Sequence, residues 1–142
     1  MGRTASFGYE GDGGLGDRLL AAVLRGEKTA TSSLAVEYLS GEPLPKVGER
    51  SRLVDHAGRV HGIVETTRVR VIPLDQVGDD VARDEGEGFV DAADWRRAHE
   101  AFWSELTDVI REEAGDPEWE LRNGEPVVVE WFRLVNEAES KP

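Results

Sequence analysis

Cysteine is absent from the 142 residues, which excludes a disulfide framework, a thiol nucleophile and every cysteine-ligated metal site. Long hydrophobic runs are absent too, since no uninterrupted apolar stretch approaches the roughly 20 residues that cross a bilayer. The opening segment MGRTASFGYE has no apolar h-region, so no secretory signal is expected and the expected location is cytoplasmic. Basic residues are scarce, 17 against 29 acidic ones, for a formal net charge of −12. Such a field repels polyanions at long range, so sequence-independent phosphate gripping is excluded, and neither double-stranded DNA nor a membrane is an expected partner. A local basic pocket built from Lys28, Arg68, Arg70, Arg96 and Arg97 stays compatible with it. The three histidines, His56, His61 and His99, form no H-x-x-x-H pair or facial set with carboxylates, so no dedicated metal site and no cofactor is expected. A G-x-S-x-G hydrolase elbow is also missing.

What remains is an ordinary globular mix, 39% hydrophobic and 32% charged, with room for one domain. Residues 1–14 are glycine-rich and polar and read as a flexible lead, 15–136 as the domain, and 137–142 as a charged tail. Asp17 can cap a helix whose stripe is Leu19, Leu20, Val23 and Leu24, with Arg25 in its last turn and Gly26 as its stop. Lys28–Ser33 reads as extended chain, and Leu34–Leu39 as a short helix. From Glu49 the period becomes two, predicting strands at Ser51–Val54 and Arg59–Val71 around a turn at Asp55–Gly58. On the second strand the set His61, Ile63, Glu65, Thr67, Val69, Val71 carries more apolar bulk than its alternate, which points Glu65 inward. A helical stretch is expected near Asp79–Glu85. Asp91 caps a helix running to about Ala114, with Trp95, Ala98, Phe102, Leu106, Val109 and Ile110 as its core stripe. Asn123–Gly124 marks a turn and Val127–Val135 a final strand. Hairpins interleaved with helices argue for a small mixed barrel or α+β domain.

Two glycine motifs mislead. Gly11-Asp12-Gly13-Gly14-Leu15-Gly16 satisfies G-x-G-x-x-G, but Thr4–Tyr9 is a poor strand and the chain is too short for two mononucleotide halves. Gly26-Glu27-Lys28-Thr29 resembles the end of a phosphate loop, yet it follows a helix instead of preceding one. It still places one amine among the hydroxyls of Thr29, Thr31, Ser32 and Ser33. In extended chain Lys28 and Ser32 share one face and Thr31 the other, so a bend is needed to bring Lys28 to Thr31. Asp84-Glu85-Gly86-Glu87-Gly88 sets carboxylates in a loop punctuated by glycine. His99 rides a helix beside the apolar stripe and reads as a half-buried helix residue, not a base.

Taken in order, GEKTAT (Gly26–Thr31), PKVGERSRLVD (Pro45–Asp55), GIVETTRVRVIPLDQV (Gly62–Val77), DEGEG (Asp84–Gly88), WRRAHEAFW (Trp95–Trp103) and VVVEWFRLV (Val127–Val135) resemble the ASCH family, the domains homologous to part of the activating signal cointegrator, in its longer bacterial form. The resemblance implies an α+β fold, a single PUA-like mixed β-barrel flanked by helices, with a cleft lined by the G-x-K-x-x-T segment. It also implies a link to RNA and modified nucleosides. Shorter bacterial relatives are amidohydrolases that deacetylate N4-acetylcytidine with a lysine, a threonine and a glutamate. These map to Lys28, Thr31 and Glu85. Longer relatives are described as ribonucleases acting on single-stranded RNA, with the lysine again implicated. The short enzymes carry an arginine two residues beyond the threonine, where this chain has Ser33, leaving Arg68, Arg70 or Arg96 to contact substrate.

Three functions follow. The first is an amidohydrolase with Thr31 as nucleophile, Lys28 as base and Glu85 as acid or positioner, where Thr29, Ser32, Ser33, Glu65, Arg68 and Arg96 contact the substrate. The net charge favours it, because a free nucleoside is uncharged. The second is a single-stranded ribonuclease in which Lys28 stabilises developing phosphate charge. The third is a binding module for RNA or a nucleotide, with Trp119 free to rim the cleft. If Glu65 and Glu130 are buried beside Lys28, they would keep it charged, which suits a ribonuclease or a binder better than a base.

Overall fold

The computed structural model describes residues 3–7, 13–38 and 43–136. Among them five strands form one sheet in the order β1-β3-β4-β5-β2, with β1 at Arg3–Ser6, β2 at Ala30–Leu34, β3 at Arg50–Val54, β4 at Val60–Pro73 and β5 at Pro126–Leu134. β1 runs parallel to β3, and every other neighbouring pair is antiparallel. Thr4, Thr31, Ser51, Val64 and Glu130, one residue from each strand, line a single cavity, so the sheet curls into a half-barrel. Four helices complete the α+β domain: α1 at Leu15–Leu24, α2 at Asp79–Asp84, α3 at Ala92–Glu105 and α4 at Thr107–Ala114.

β5 is the spine because its alternating residues serve two cores. Val127, Val129 and Trp131 pack with Ala30, Leu34 and Ile72 against α2, α3 and α4. Phe132, on the opposite face, joins Val64 and Leu53 against Leu20 and Val23 of α1. The β3–β4 turn is built on Asp55, whose Oδ1 accepts the backbone N–H groups of Ala57 and Arg59 at 2.9 and 3.0 Å. Its Oδ2 meets Arg59 Nε at 2.9 Å and His61 Nε2 at 2.8 Å.

Several expectations need correction. Arg3–Ser6, placed in the flexible lead, is an edge strand with Ala5 and Phe7 packed on the smaller core. Gly11 and Asp12 of the glycine motif, and the tail 137–142, lie outside the described residues. α1 starts at Leu15 after Gly14, and Asp17 sits in its first turn instead of capping it. Leu34 ends β2, and only one tight turn, Ala35–Tyr38, stands where a short helix was expected; Leu39 lies outside the described residues.

In β4 the buried residues are Val64, Thr66 and Ile72, and Glu65 lies half-buried between Arg50 and Arg133. A register shift between Thr66 and Arg68 inserts one residue, so a single two-residue period cannot describe the whole strand. The long helix is two helices meeting at Leu106, and Asp91 does cap α3 by accepting the Asp94 N–H at 2.9 Å. Its buried face is Trp95 and Trp103, while Phe102 and Val109 are exposed. Trp119 belongs to the larger core and lines neither of the two cavities described below.

Candidate functional site

Gly26, at φ +80°, stops α1 and turns the chain so that the Glu27 and Lys28 N–H groups both bond to the Ala22 carbonyl. Thr29 then donates its N–H to the Asp84 carbonyl at 2.7 Å, and its hydroxyl reaches the same oxygen at 3.3 Å. These bonds tie the start of β2 to the end of α2. Gly86 makes the approach possible, because a Cβ there would stand 2.2 Å from the Glu27 carbonyl oxygen. The two signature segments, Gly26–Thr31 and Asp84–Gly88, are thus pressed together at backbone level.

Lys28 is buried, with its ammonium donating to the Ala30 carbonyl at 3.0 Å, the Glu85 carbonyl at 3.2 Å and Glu87 Oε2 at 2.9 Å. All three N–H bonds are engaged. Glu85 is as deeply buried, and its carboxylate gathers donors from three directions. Ser32 Oγ donates to Oε2 at 2.7 Å, and the Trp95 indole N–H donates to the same oxygen. Oε1 faces His99 Nε2 at 3.3 Å and the Lys28 ammonium at 3.9 Å. Burial pushes the Glu85 acid up, but the hydrogen bond and charge interaction with His99, the Lys28 ammonium and the Ser32 hydroxyl together hold it below the ordinary glutamate value.

A cleft of about 440 Å³ opens over this cluster. Its polar wall is Lys28, Thr31, Ser32, Glu85, Glu87 and His99. Apart from Ser6, the rest of its lining is apolar, with Phe7, Leu15 and Leu19 from the N-terminal part of the chain, Phe89 and Trp103 against the His99 ring, and Phe102. A smaller hollow of about 300 Å³ adjoins it, sharing Ser6, Phe7 and Thr31, and contains Glu37, Glu49 and Glu130. Burial, reinforced by nearby Glu113, raises the Glu37 acid above its usual value against the lowering effect of the Leu34 N–H. Among the described residues, no group of three or more histidines and carboxylates is arranged to hold a metal ion.

The family model of the ASCH domain matches residues 4–136. The chain belongs to the ASCH family. An ASCH domain from Lactobacillus crispatus, known from a crystal structure, is 30% identical to it, with a TM-score of 0.74 over 93% of this chain and 79% of that one. A protein from Enterococcus faecalis is 26% identical, with a TM-score of 0.77 over 95% of this chain and 77% of that one. No curated protein matches the sequence. The fold is therefore the PUA-like α+β fold of ASCH domains, and no helix among the described residues is long and apolar enough to cross a membrane.

Of the residues singled out in sequence, the ASCH cleft brings together Lys28, Thr31, Ser32 and Glu85. β2 is an edge strand, paired only with β5 among the described residues, and both Thr31, opposite Glu130, and Ser32, opposite Val129, line the cleft. Thr29 buttresses α2 from behind, and the Ser33 hydroxyl pairs with Tyr38 at 2.8 Å. Glu65, Arg68 and Arg96 do not line the cleft. Arg68 lies over the Trp131 ring at 4.6 Å, and Arg96 bonds Glu100 and Asn123. Nor do Glu65 and Glu130 hold Lys28: Glu85 and Glu87 do, while Glu130 accepts the Thr66 hydroxyl at 2.5 Å.

Two residues escaped the sequence reading. Glu87 is the direct ion-pair partner of Lys28, and its place two residues after Glu85 in the glycine-punctuated loop was the available signal. His99 combines the expected half-burial with a position in the cleft wall, at the i, i+4, i+8 spacing of Trp95, His99 and Trp103.

Proposed function

We propose that this ASCH domain is an amidohydrolase that removes an acyl group from the base of an uncharged nucleoside, with N4-acetylcytidine as the first substrate to test. The observation that carries this reading is the charge of the cleft. Glu37, Glu49, Glu85, Glu87 and Glu130 line its two parts, and Lys28 and His99 are the only basic side chains among the described lining residues. A phosphodiester would bring negative charge against those carboxylates, whereas a nucleoside brings none and its sugar hydroxyls can donate to them. The aromatic wall offers faces on which a base can stack. The volume, about 440 Å³, is within the roughly 300–1,000 Å³ of small-molecule sites.

The chemistry needs a proton acceptor for the Thr31 hydroxyl, which has no hydrogen-bond partner among the described residues. Lys28 serves only after giving up a proton, and of its three acceptors only the Glu87 carboxylate can take one. The Lys28 amine then accepts the Thr31 proton as Oγ attacks the acyl carbon. The resulting ammonium returns that proton to the departing base amine, and water releases the acyl group from the threonine ester. Glu85, with its oxygens occupied by Ser32, Trp95, His99 and Lys28, positions the lysine and does not reach the substrate.

The full engagement of Lys28 as an ammonium favours a second reading, in which it holds the cleft wall together, the cleft binds a ligand and nothing is catalysed. Chromatography of N4-acetylcytidine and of end-labelled single-stranded RNA after incubation with wild type, Lys28→Ala and Thr31→Ala separates these readings. The expected result is deacetylation by the wild type, reduced at least about 100-fold in both variants, with RNA left intact. Lysine-dependent RNA cleavage without deacetylation moves the assignment to a ribonuclease. Turnover of neither substrate leaves the binding module.

A further inference from the structure

The imidazole of His99 has no part in the steps above, yet its setting is fully specified. The ring stacks on Trp95 with centroids 4.2 Å apart and planes 20° from parallel, and touches the rings of Phe89 and Trp103 at 5.6 and 5.1 Å. Nδ1 lies 2.8 Å from the Trp95 carbonyl oxygen, an atom that can only accept, so Nδ1 carries a hydrogen. Nε2 faces Glu85 Oε1 at 3.3 Å. A bare imidazole nitrogen and a bare carboxylate oxygen are both acceptors and repel each other. One proton therefore sits between them, on His99 as imidazolium or on Glu85 as acid.

We infer that His99 and Glu85 share one proton in the resting protein, and that His99 is a positioning residue acting on Lys28 through Glu85. The charge pattern gives the reason. Lys28, Glu85 and Glu87 together sum to −1 when ionised, and the shared proton brings the set to neutrality inside a wall where His99 is only 13% exposed. Among the described residues that line the cleft, the titratable groups besides His99 are Lys28, Glu85 and Glu87: α1 presents Leu15 and Leu19, Ser6 of β1 and the adjoining Phe7 come from the N-terminal side, and on α3 itself Arg96 and Glu100 bond each other. Without His99, Oε1 of Glu85 keeps only the ammonium at 3.9 Å as a charged partner, which draws Lys28 away from Glu87. The positioning role rests on the proposed hydrolase; the shared proton does not.

Two arms test the inference. In histidine-labelled protein, long-range nitrogen–proton NMR should show His99 with Nδ1 protonated at every pH, and its Nε2 titration should move in Glu85→Gln. An unprotonated Nδ1, or a titration indifferent to Glu85→Gln, overturns the shared proton whether or not the protein is an enzyme. In lysine-labelled protein His99→Gln should shift the Lys28 ammonium signal, and an unmoved signal overturns the positioning role. With an acylated substrate that the wild type turns over in hand, His99→Gln should lower kcat on the order of 10- to 100-fold with little change in KM, and remove one ionisation from the kcat–pH profile. A wild-type profile in that variant also overturns the positioning role. Wild type without deacylase activity removes the proposed function and the positioning role with it, and leaves the NMR arm to decide the shared proton.

Discussion

Glu85 shows how one buried side chain ties stability to the site. Its folded acid is held below the ordinary value of 4.5, so its stabilisation is complete above that pH and is lost as pH falls through the folded value. Glu85→Gln should therefore melt below wild type at pH 7, and the gap should shrink as pH falls below 4.5, read as Tm by circular dichroism. A gap that stays constant with pH would show that the carboxylate charge contributes nothing. Lys28, Thr31 and Glu85 were legible in the sequence because each sits inside a short segment whose residue order is itself the signal. His99 was not, because a histidine between two tryptophans at helical spacing is indistinguishable from core until its Nε2 is seen to face an acid. Arg68 and Arg96 were misread for the converse reason: an arginine near a motif can be fully occupied by a tryptophan face or a neighbouring acid.

At the scale of elements, the contact between the end of α1 and the end of α2 decides whether the cleft exists. Gly86→Ala meets two obstacles, a positive φ of +65° and a carbonyl oxygen 2.2 Å from the new Cβ. The conformational term alone costs about 1–3 kcal/mol, and the clash displaces the loop that carries Glu85 and Glu87. Urea denaturation should show at least that loss, together with loss of the Lys28–Glu87 ion pair; a wild-type curve would contradict the close approach. Asp91→Ala, which removes the cap of the helix carrying His99, is expected to cost about 1 kcal/mol in the same urea experiment. The helix and strand types were legible from periodicity. The break at Leu106 and the extra residue in β4 were not, because each is a phase change within a pattern that reads as continuous.

For the whole molecule, the net charge of −12 and the acidic cleft act in the same direction. Binding of a short single-stranded RNA, measured by fluorescence anisotropy, should be undetectable at micromolar protein and physiological salt. Micromolar affinity with a steep salt slope would instead reveal a basic surface that the charge balance conceals. The α+β class followed from the order of strands and helices, whereas the capture of residues 3–6 as an edge strand depends on a parallel partner some fifty positions away, which no local pattern announces.

The indole of Trp95 lies flat on the His99 ring and donates to Glu85, so the chromophore sits inside the proton-sharing pair. A protonated imidazole in contact with an indole quenches its emission, and a neutral one does so far less. The cleft thereby contains its own optical gauge: a fluorescence titration, with Trp95→Phe as the blank, reads the state of the site without label, substrate or turnover.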